Sequence, residues 1–181
     1  SLLAAPRTRQ GYVVLHEAWH STLRLAGIRM PYALEEATGR VVGVLGARLF
    51  ASERGDDELL AESRAQEHSW AAFARFVNRG YRRLAQIYRR EAGAGERRRL
   101  LAALRREADA LRERLPAEWE RAELTKEMNN AFFFRYYDYT RFYPLALRVH
   151  RATGSLPRAM RLYKRAGREG ALAQLRAYSR G

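Results

Sequence analysis

The sequence predicts a mainly α-helical fold. Apolar residues recur every three or four positions along most of its 181 residues, a spacing that gathers side chains on one face of a helix. Glycines and prolines fall between these segments, where helices end and begin, and no segment indicates a strand with confidence. The apolar fraction of 47% is enough for a buried core, and no run of eighteen apolar residues indicates a membrane span. We therefore expect one helical domain over 1–181 with no transmembrane segment.

The first predicted helix covers 9–26 and ends at Gly27, in the position typical of a helix C-cap. Its apolar residues lie at helical spacing, and His16 and His20 flank the same stripe. The two histidines are therefore expected to face inward. The stripe consists of Tyr12, Leu15, Trp19 and Leu23.

The second predicted helix, 32–52, contains three glycines. Each costs about 1 kcal/mol relative to alanine in a helix interior, so three of them call for a packing reason. A glycine-lined face would let this helix lie close against the histidine helix. Glu36 lies seven positions before Gly43 and nearly in line with it, which places a carboxylate at the contact. The alternative is that Glu36 pairs with Arg40 on a solvated face. The glycines are Gly39, Gly43 and Gly46.

Further helices are predicted along the rest of the chain. Gly80 is a candidate break in the third predicted helix, 58–91. Gly167 is expected to end the predicted helix 157–166. A charged helix follows the turn at 93–95, and Pro116 is expected to start a helix that includes Met128. The remaining predicted helices cover 58–91, 96–114, 143–151, 157–166 and 168–179.

The segment His16-Glu17-Ala18-Trp19-His20 carries the chemistry of a metal site. Residues four apart on a helix project from nearly the same side, so two imidazoles at this spacing can share one zinc ion. Zinc lowers the pKa of its bound water toward about 7, and the neighbouring Glu17 carboxylate can take the proton as the water attacks a carbonyl. The alternative interpretation is two hydrogen-bonded core histidines. His68 and His150 have no partner at ligand spacing and are interpreted as structural.

A second unusual stretch begins at Asn129 and Asn130 and continues through a run of aromatic residues to Tyr139. Most of these aromatic residues are expected in the core. Buried amides need hydrogen-bond partners, so we predict a substrate-binding role for the two asparagines. Phenols near a zinc site can stabilise an oxyanion, and we assign this role to Tyr139.

The net charge of +14 would suit a polyanionic partner. Only Lys126 and Lys164 are lysines among 34 basic residues, and such arginine dominance also fits the codon bias of a GC-rich genome. We therefore do not expect nucleic-acid binding. The absence of cysteine excludes thiolate metal sites, disulfides and cysteine nucleophiles. The chain starts at Ser1 without an initiator methionine, and we expect it to be the C-terminal part of a longer protein.

Three segments in order resemble a family of bacterial zinc aminopeptidases of the gluzincin class. They are the histidine helix, the segment Glu35-Glu36-Ala37-Thr38-Gly39, and the asparagine pair with its aromatic run; together they extend from Tyr12 to about Arg165. The resemblance implies the helical part of a zincin-like domain, and we expect a sheet-bearing N-terminal portion to be missing from this sequence. It also implies an envelope or periplasmic location, a peptide substrate, and Glu36 as the third zinc ligand.

The sequence departs from the family pattern around the third ligand. Glu35 stands where the family usually has asparagine, and Gly39 replaces the usual alanine. No acidic residue follows Glu36 at four positions to orient a histidine. Glu35 is therefore a rival ligand to Glu36.

We thus expect a zinc-dependent peptide hydrolase, in particular an aminopeptidase. In this hypothesis His16, His20 and Glu36 bind Zn²⁺, Glu17 is the general base, and Tyr139 helps to hold the oxyanion. The competing hypotheses are an inactive zinc-binding remnant and a basic helical module for nucleic acid. Metal analysis separates the last from the others, and turnover of amino-acid amides separates the first two.

Overall fold

The computed structural model describes residues 5–168 and 172–178, which form α-helices and no strand. The predicted mainly α fold is confirmed. No helix in this part of the chain has the length and apolarity needed to cross a membrane. In chain order the helices are α1 (Arg7–Leu25), α2 (Tyr32–Glu53), α3 (Asp57–Arg89), α4 (Ala94–Arg112), α5 (Glu118–Glu123), α6 (Asn130–Thr140), α7 (Tyr143–Thr153), α8 (Leu156–Arg168) and α9 (Leu172–Tyr178).

The glycines of α2 lie where this helix crosses α1. A Cβ atom added at Gly43 would lie 2.7 Å from Cδ2 of Tyr12 and 2.8 Å from the Tyr12 backbone oxygen. At Gly46 the added atom would lie 2.9 Å from Cδ1 of Leu15. A larger residue at Gly43 would therefore push the two helices apart, whereas one at Gly46 would displace the Leu15 side chain. The packing reason predicted for these glycines is confirmed.

Helix α3 is the long central element and presents its aromatic face to α6. The Asp56 carboxylate caps its first turn by accepting a hydrogen bond from the Leu59 N–H at 3.0 Å. The Phe73 ring lies 5.3 Å from the Tyr136 ring, and the Phe76 ring lies 5.6 Å from the Phe133 ring. Half of the aromatic run of α6 is therefore core rather than most of it, because Phe134 and Tyr139 are exposed.

Two glycines predicted to interrupt helices do not interrupt them. Helix α3 runs through Gly80, where an added Cβ would lie 2.2 Å from Cε1 of Phe133. Helix α8 likewise includes Gly167, where the added atom would lie 2.4 Å from Cγ2 of Ile28. Both predictions were wrong. The missing Cβ at each glycine makes room for a neighbouring side chain, and the helix continues without a change of direction. Residues 169–171 and 179 of the predicted last helix lie outside the described residues.

The helix predicted to run from Pro116 through Met128 is shorter than expected. Helix α5 ends at Glu123, where the hydroxyl and the backbone N–H of Thr125 both donate to the Ala122 carbonyl, at 2.7 and 3.2 Å. Asn129 then caps α6 by accepting a hydrogen bond from the Phe132 N–H at 3.0 Å. This break directs α6 back across α2 and α3.

Candidate metal centre

Helices α1 and α2 bring His16, His20 and Glu36 together. The two Nε2 atoms lie 3.0 Å apart, and the Glu36 carboxylate oxygens lie 3.4 Å from Nε2 of His16 and 3.5 Å from Nε2 of His20. Atoms bound about 2.0 Å from a tetrahedral zinc ion lie about 3.3 Å from one another. Each imidazole thus faces a different oxygen of the Glu36 carboxylate, at separations close to those that zinc requires. Among the described residues no other group of three His, Asp or Glu side chains brings one ligand atom from each within 4.8 Å of the others.

Gly39 allows this cluster to form. A Cβ atom at this position would lie 3.1 Å from Cε1 and Nδ1 of His16 and 3.4 Å from Nε2 of His20. Both imidazoles therefore lie close to the α2 backbone, about one turn beyond Glu36. Gly39, at the position where the resemblance leads us to expect alanine, leaves more space for the two rings than alanine would.

Each histidine also has a partner on its other ring nitrogen. Nδ1 of His20 lies 2.7 Å from Oε1 of Glu35, and Nδ1 of His16 lies 3.3 Å from the Tyr12 hydroxyl. A carboxylate bonded to the far nitrogen of a ligating histidine fixes its tautomer and orientation. Glu35 and Glu36 therefore contact different ring nitrogens. Glu36 faces the Nε2 atoms of both histidines, and Glu35 lies against Nδ1 of His20.

The proposed pairing of Glu36 with Arg40 on a solvated face is not found. Arg40 is buried, and its guanidinium carbon lies 3.4 Å from the centre of the Trp70 ring. Glu36 lies instead against the two imidazoles. The sequence offered no sign that this arginine, among so many, would be buried.

A cavity of about 320 Å³ opens next to this cluster, and His16, Glu36 and Tyr139 all line it. Tyr139 is half-exposed, and its hydroxyl oxygen accepts a hydrogen bond from the Tyr32 hydroxyl at 2.8 Å. Burial, this hydrogen bond and the nearby Glu36 charge raise the pKa of Tyr32 above its ordinary value. Tyr32 was not among the predicted site residues, although its i, i+4 spacing to Glu36 places both on one face of α2.

Glu17 follows His16 on α1 and is exposed to solvent. Its direction about the helix axis differs from that of His16 by about 100°, and it is not among the residues that line the cavity. Its carboxylate is therefore at the solvent side of the centre.

The predicted substrate ligands Asn129 and Asn130 do not lie in this cavity. Asn129 is the N-cap of α6, and the Asn130 side-chain amide donates to the Tyr88 hydroxyl. The hydrogen-bond partners of the two asparagine side chains are thus helix backbone and a tyrosine. A role for these asparagines in substrate binding stays a prediction, and the cavity geometry gives them no part in it.

The other two histidines lie away from the cluster. His68 is exposed on α3, and His150 is half-buried on α7. Burial and then the neighbouring Arg48 charge lower the pKa of His150.

Two imidazoles, a carboxylate and an adjacent cavity make a site that could hold a divalent metal and admit a small ligand. The chain matches the family described as "Putative aminopeptidase" over residues 1–178 and belongs to that family. The description names a class of peptide hydrolase. No curated protein and no solved structure matches the chain.

Proposed function

We propose that this protein is a zinc-dependent peptide hydrolase that acts as an aminopeptidase. The observation that carries the proposal is the convergence of His16, His20 and Glu36: the two histidine Nε2 atoms lie 3.0 Å apart, and each lies 3.4 to 3.5 Å from an oxygen of the Glu36 carboxylate. Two neutral nitrogens and one carboxylate oxygen suit zinc, and three protein ligands leave one position open, as in catalytic zinc sites. Membership of an aminopeptidase family supports peptides as substrates.

Zinc, when bound, supplies a Lewis acid that polarises the substrate carbonyl and lowers the pKa of water. The protein contributes the orientation of the ligands. Glu35 holds the His20 ring through Nδ1, and Tyr12 contacts Nδ1 of His16, so that both Nε2 atoms stay directed at the same point.

Proton transfer falls to Glu17 in this proposal. Its exposed position beside His16 leaves its carboxylate free to accept a proton from water and then to donate it to the leaving amine. Because Glu17 does not line the cavity, the scissile bond would lie at the cavity mouth, with the rest of the substrate inside the cavity.

Tyr139 is the proposed partner of the carbonyl oxygen as that oxygen gains negative charge. It lines the cavity together with His16 and Glu36. Since its oxygen accepts the Tyr32 hydrogen bond, its own O–H is left to donate to the substrate. Tyr32 is therefore a positioning residue for Tyr139.

The replacement Glu17→Gln tests the enzymatic part of the proposal. A positioned general base contributes about 10²- to 10⁴-fold to rate, so the variant should lose at least about 10²-fold in hydrolysis of amino-acid amides. Zinc content and thermal unfolding should match the parent because Glu17 is exposed and is no ligand. The matched control is Glu58→Gln, which alters an equally exposed glutamate on α3 and should keep full activity.

Parent-like turnover by the Glu17→Gln protein would show that Glu17 is not the base. Zinc binding without any turnover by the parent would favour the alternative of a zinc-stabilised scaffold.

A further inference from the structure

Three arginines line the same cavity as His16 and Glu36. They are Arg9 of α1, Arg40 of α2 and Arg135 of α6, which we call the arginine wall. The three come from separate helices and are brought together only by the fold.

Arg40 is buried without hydrogen bonds that would satisfy it. Its side chain is 6% exposed, and its Nε and Nη2 atoms have no hydrogen-bond partner. Its guanidinium carbon lies 3.4 Å from the centre of the Trp70 ring and 4.4 Å from that of the Tyr12 ring. Because burying unsatisfied N–H groups is costly, a guanidinium held in this way indicates a missing acceptor.

Glu120 is the nearest carboxylate to Arg40, and it is a poor counterion. Its Oε1 lies 3.7 Å from Nη2 of Arg40, which is beyond hydrogen-bond distance, and neither of its own oxygens has a partner. Burial raises the pKa of Glu120, and the nearby Arg40 charge acts in the opposite direction.

Arg9 and Arg135 make no ion pair within the part of the chain that the structure describes. The Arg9 guanidinium lies 5.4 Å from the Tyr12 ring centre and 5.3 Å from that of Trp119. Burial and then repulsion from Arg40 lower the pKa of Arg9. Arg135 is exposed at the cavity and contacts the Tyr136 ring at 5.6 Å.

The two carboxylates that line the cavity are already engaged. Glu36 lies against the imidazoles, and Glu123 accepts hydrogen bonds from the Lys126 ammonium group at 2.7 and 2.8 Å and from the Tyr136 hydroxyl. The arginine wall therefore keeps unused donors in a confined space, where a positive potential attracts anions.

We infer that the arginine wall binds a carboxylate group of the peptide substrate, so that this enzyme selects short peptides with a free carboxylate close to the scissile bond. Guanidinium groups match a carboxylate through paired N–H donors. The cavity volume of about 320 Å³ lies at the lower end of the range for small-ligand sites, which suits a peptide of very few residues. This inference rests on the proposed hydrolase function.

The test compares three probes on the zinc-loaded protein. Ala-Ala carries a C-terminal carboxylate, its C-terminal amide carries none, and Ala-Glu amide carries only a side-chain carboxylate. Hydrogen bonds to charged groups predict a preference of about 10- to 100-fold in KM for a carboxylate-bearing probe over Ala-Ala amide. Preference for Ala-Ala alone assigns the wall to the C-terminus, and preference for Ala-Glu amide assigns it to an acidic side chain.

Arg135→Gln is the variant of choice because this side chain is exposed and its loss leaves the core intact. It should reduce the carboxylate preference, taken as the ratio of the KM values for Ala-Ala amide and the carboxylate-bearing probe, about 10-fold or more. Arg105→Gln, an equally exposed replacement on α4 away from the cavity, should retain the full preference.

Calorimetric binding of the same probes to zinc-loaded Glu17→Gln protein separates the inference from the proposed function. A carboxylate preference in binding supports the arginine wall even if the parent protein hydrolyses none of the probes, an outcome that would remove only the hydrolase proposal. Equal binding of the three probes, binding of none, or a preference that survives Arg135→Gln would overturn the inference.

Discussion

Replacing Gly43 by alanine tests the close contact between α1 and α2 on which the metal centre depends. Alanine gains about 1 kcal/mol over glycine in a helix interior. Overpacking a core costs about 1–3 kcal/mol. The cost at Gly43 should fall near the upper limit because the added Cβ would lie 2.8 Å from the Tyr12 backbone oxygen, which cannot rotate away. The expected net change is a loss of about 1–2 kcal/mol in the free energy of unfolding.

Gly11→Ala is the matched control at the same helix contact. The added Cβ would lie 3.7 Å from Cβ of Ala47, an ordinary contact, so this variant should gain about 1 kcal/mol. Urea unfolding followed by far-UV circular dichroism, with chelator present, measures both variants without a contribution from metal. We expect Gly43→Ala to be less stable than Gly11→Ala by about 2–3 kcal/mol. Equal stability of the two variants would refute this account of the glycine face.

Three further predictions concern individual side chains. Glu35→Gln should lower zinc affinity about 10- to 100-fold because Glu35 only orients His20. Glu36→Gln should lower zinc affinity further, as measured by competition with a chelator, and the reverse order would make Glu35 the ligand. Tyr139→Phe should lower kcat about 10²-fold with zinc affinity retained, and an unchanged kcat would remove Tyr139 from the site. Burial and then the Arg48 charge lower the pKa of folded His150 below 6.5, so the unfolded chain takes up this proton at a higher pH than the folded protein does. The free energy of unfolding should therefore decrease more steeply for the parent than for His150→Gln as pH falls below about 6.5, and parallel decreases would contradict it.

The sequence predicted the contact between α1 and α2 because helical spacing determines which residues share a face. His16 and His20 at i, i+4 and Glu36 and Gly43 at i, i+7 follow directly from the helical repeat. The different places of Glu35 and Glu36 could not be predicted in the same way. Both neighbours flank the imidazole pair, and their roles depend on which ring nitrogen each meets across the interface.

The arginine wall could not be predicted from the sequence at all. Arg9, Arg40 and Arg135 are far apart in the chain, and nothing in their local sequence separates them from the other arginines. Gly80 and Gly167 illustrate a related ambiguity. The missing Cβ atom that allows a helix to break also allows Phe133 or Ile28 to pack against an unbroken one, and only the tertiary contact decides between these outcomes.

Metal analysis of the purified protein is the sharpest test of the proposed zinc site. We expect about one equivalent of zinc, retained on dialysis, because two imidazoles and a carboxylate form a single site. The double variant His16→Ala/His20→Ala should lose it, whereas the matched double variant His68→Ala/His150→Ala should retain it. Stoichiometric zinc in the His16→Ala/His20→Ala protein, or loss of zinc only in the other double variant, would contradict the account.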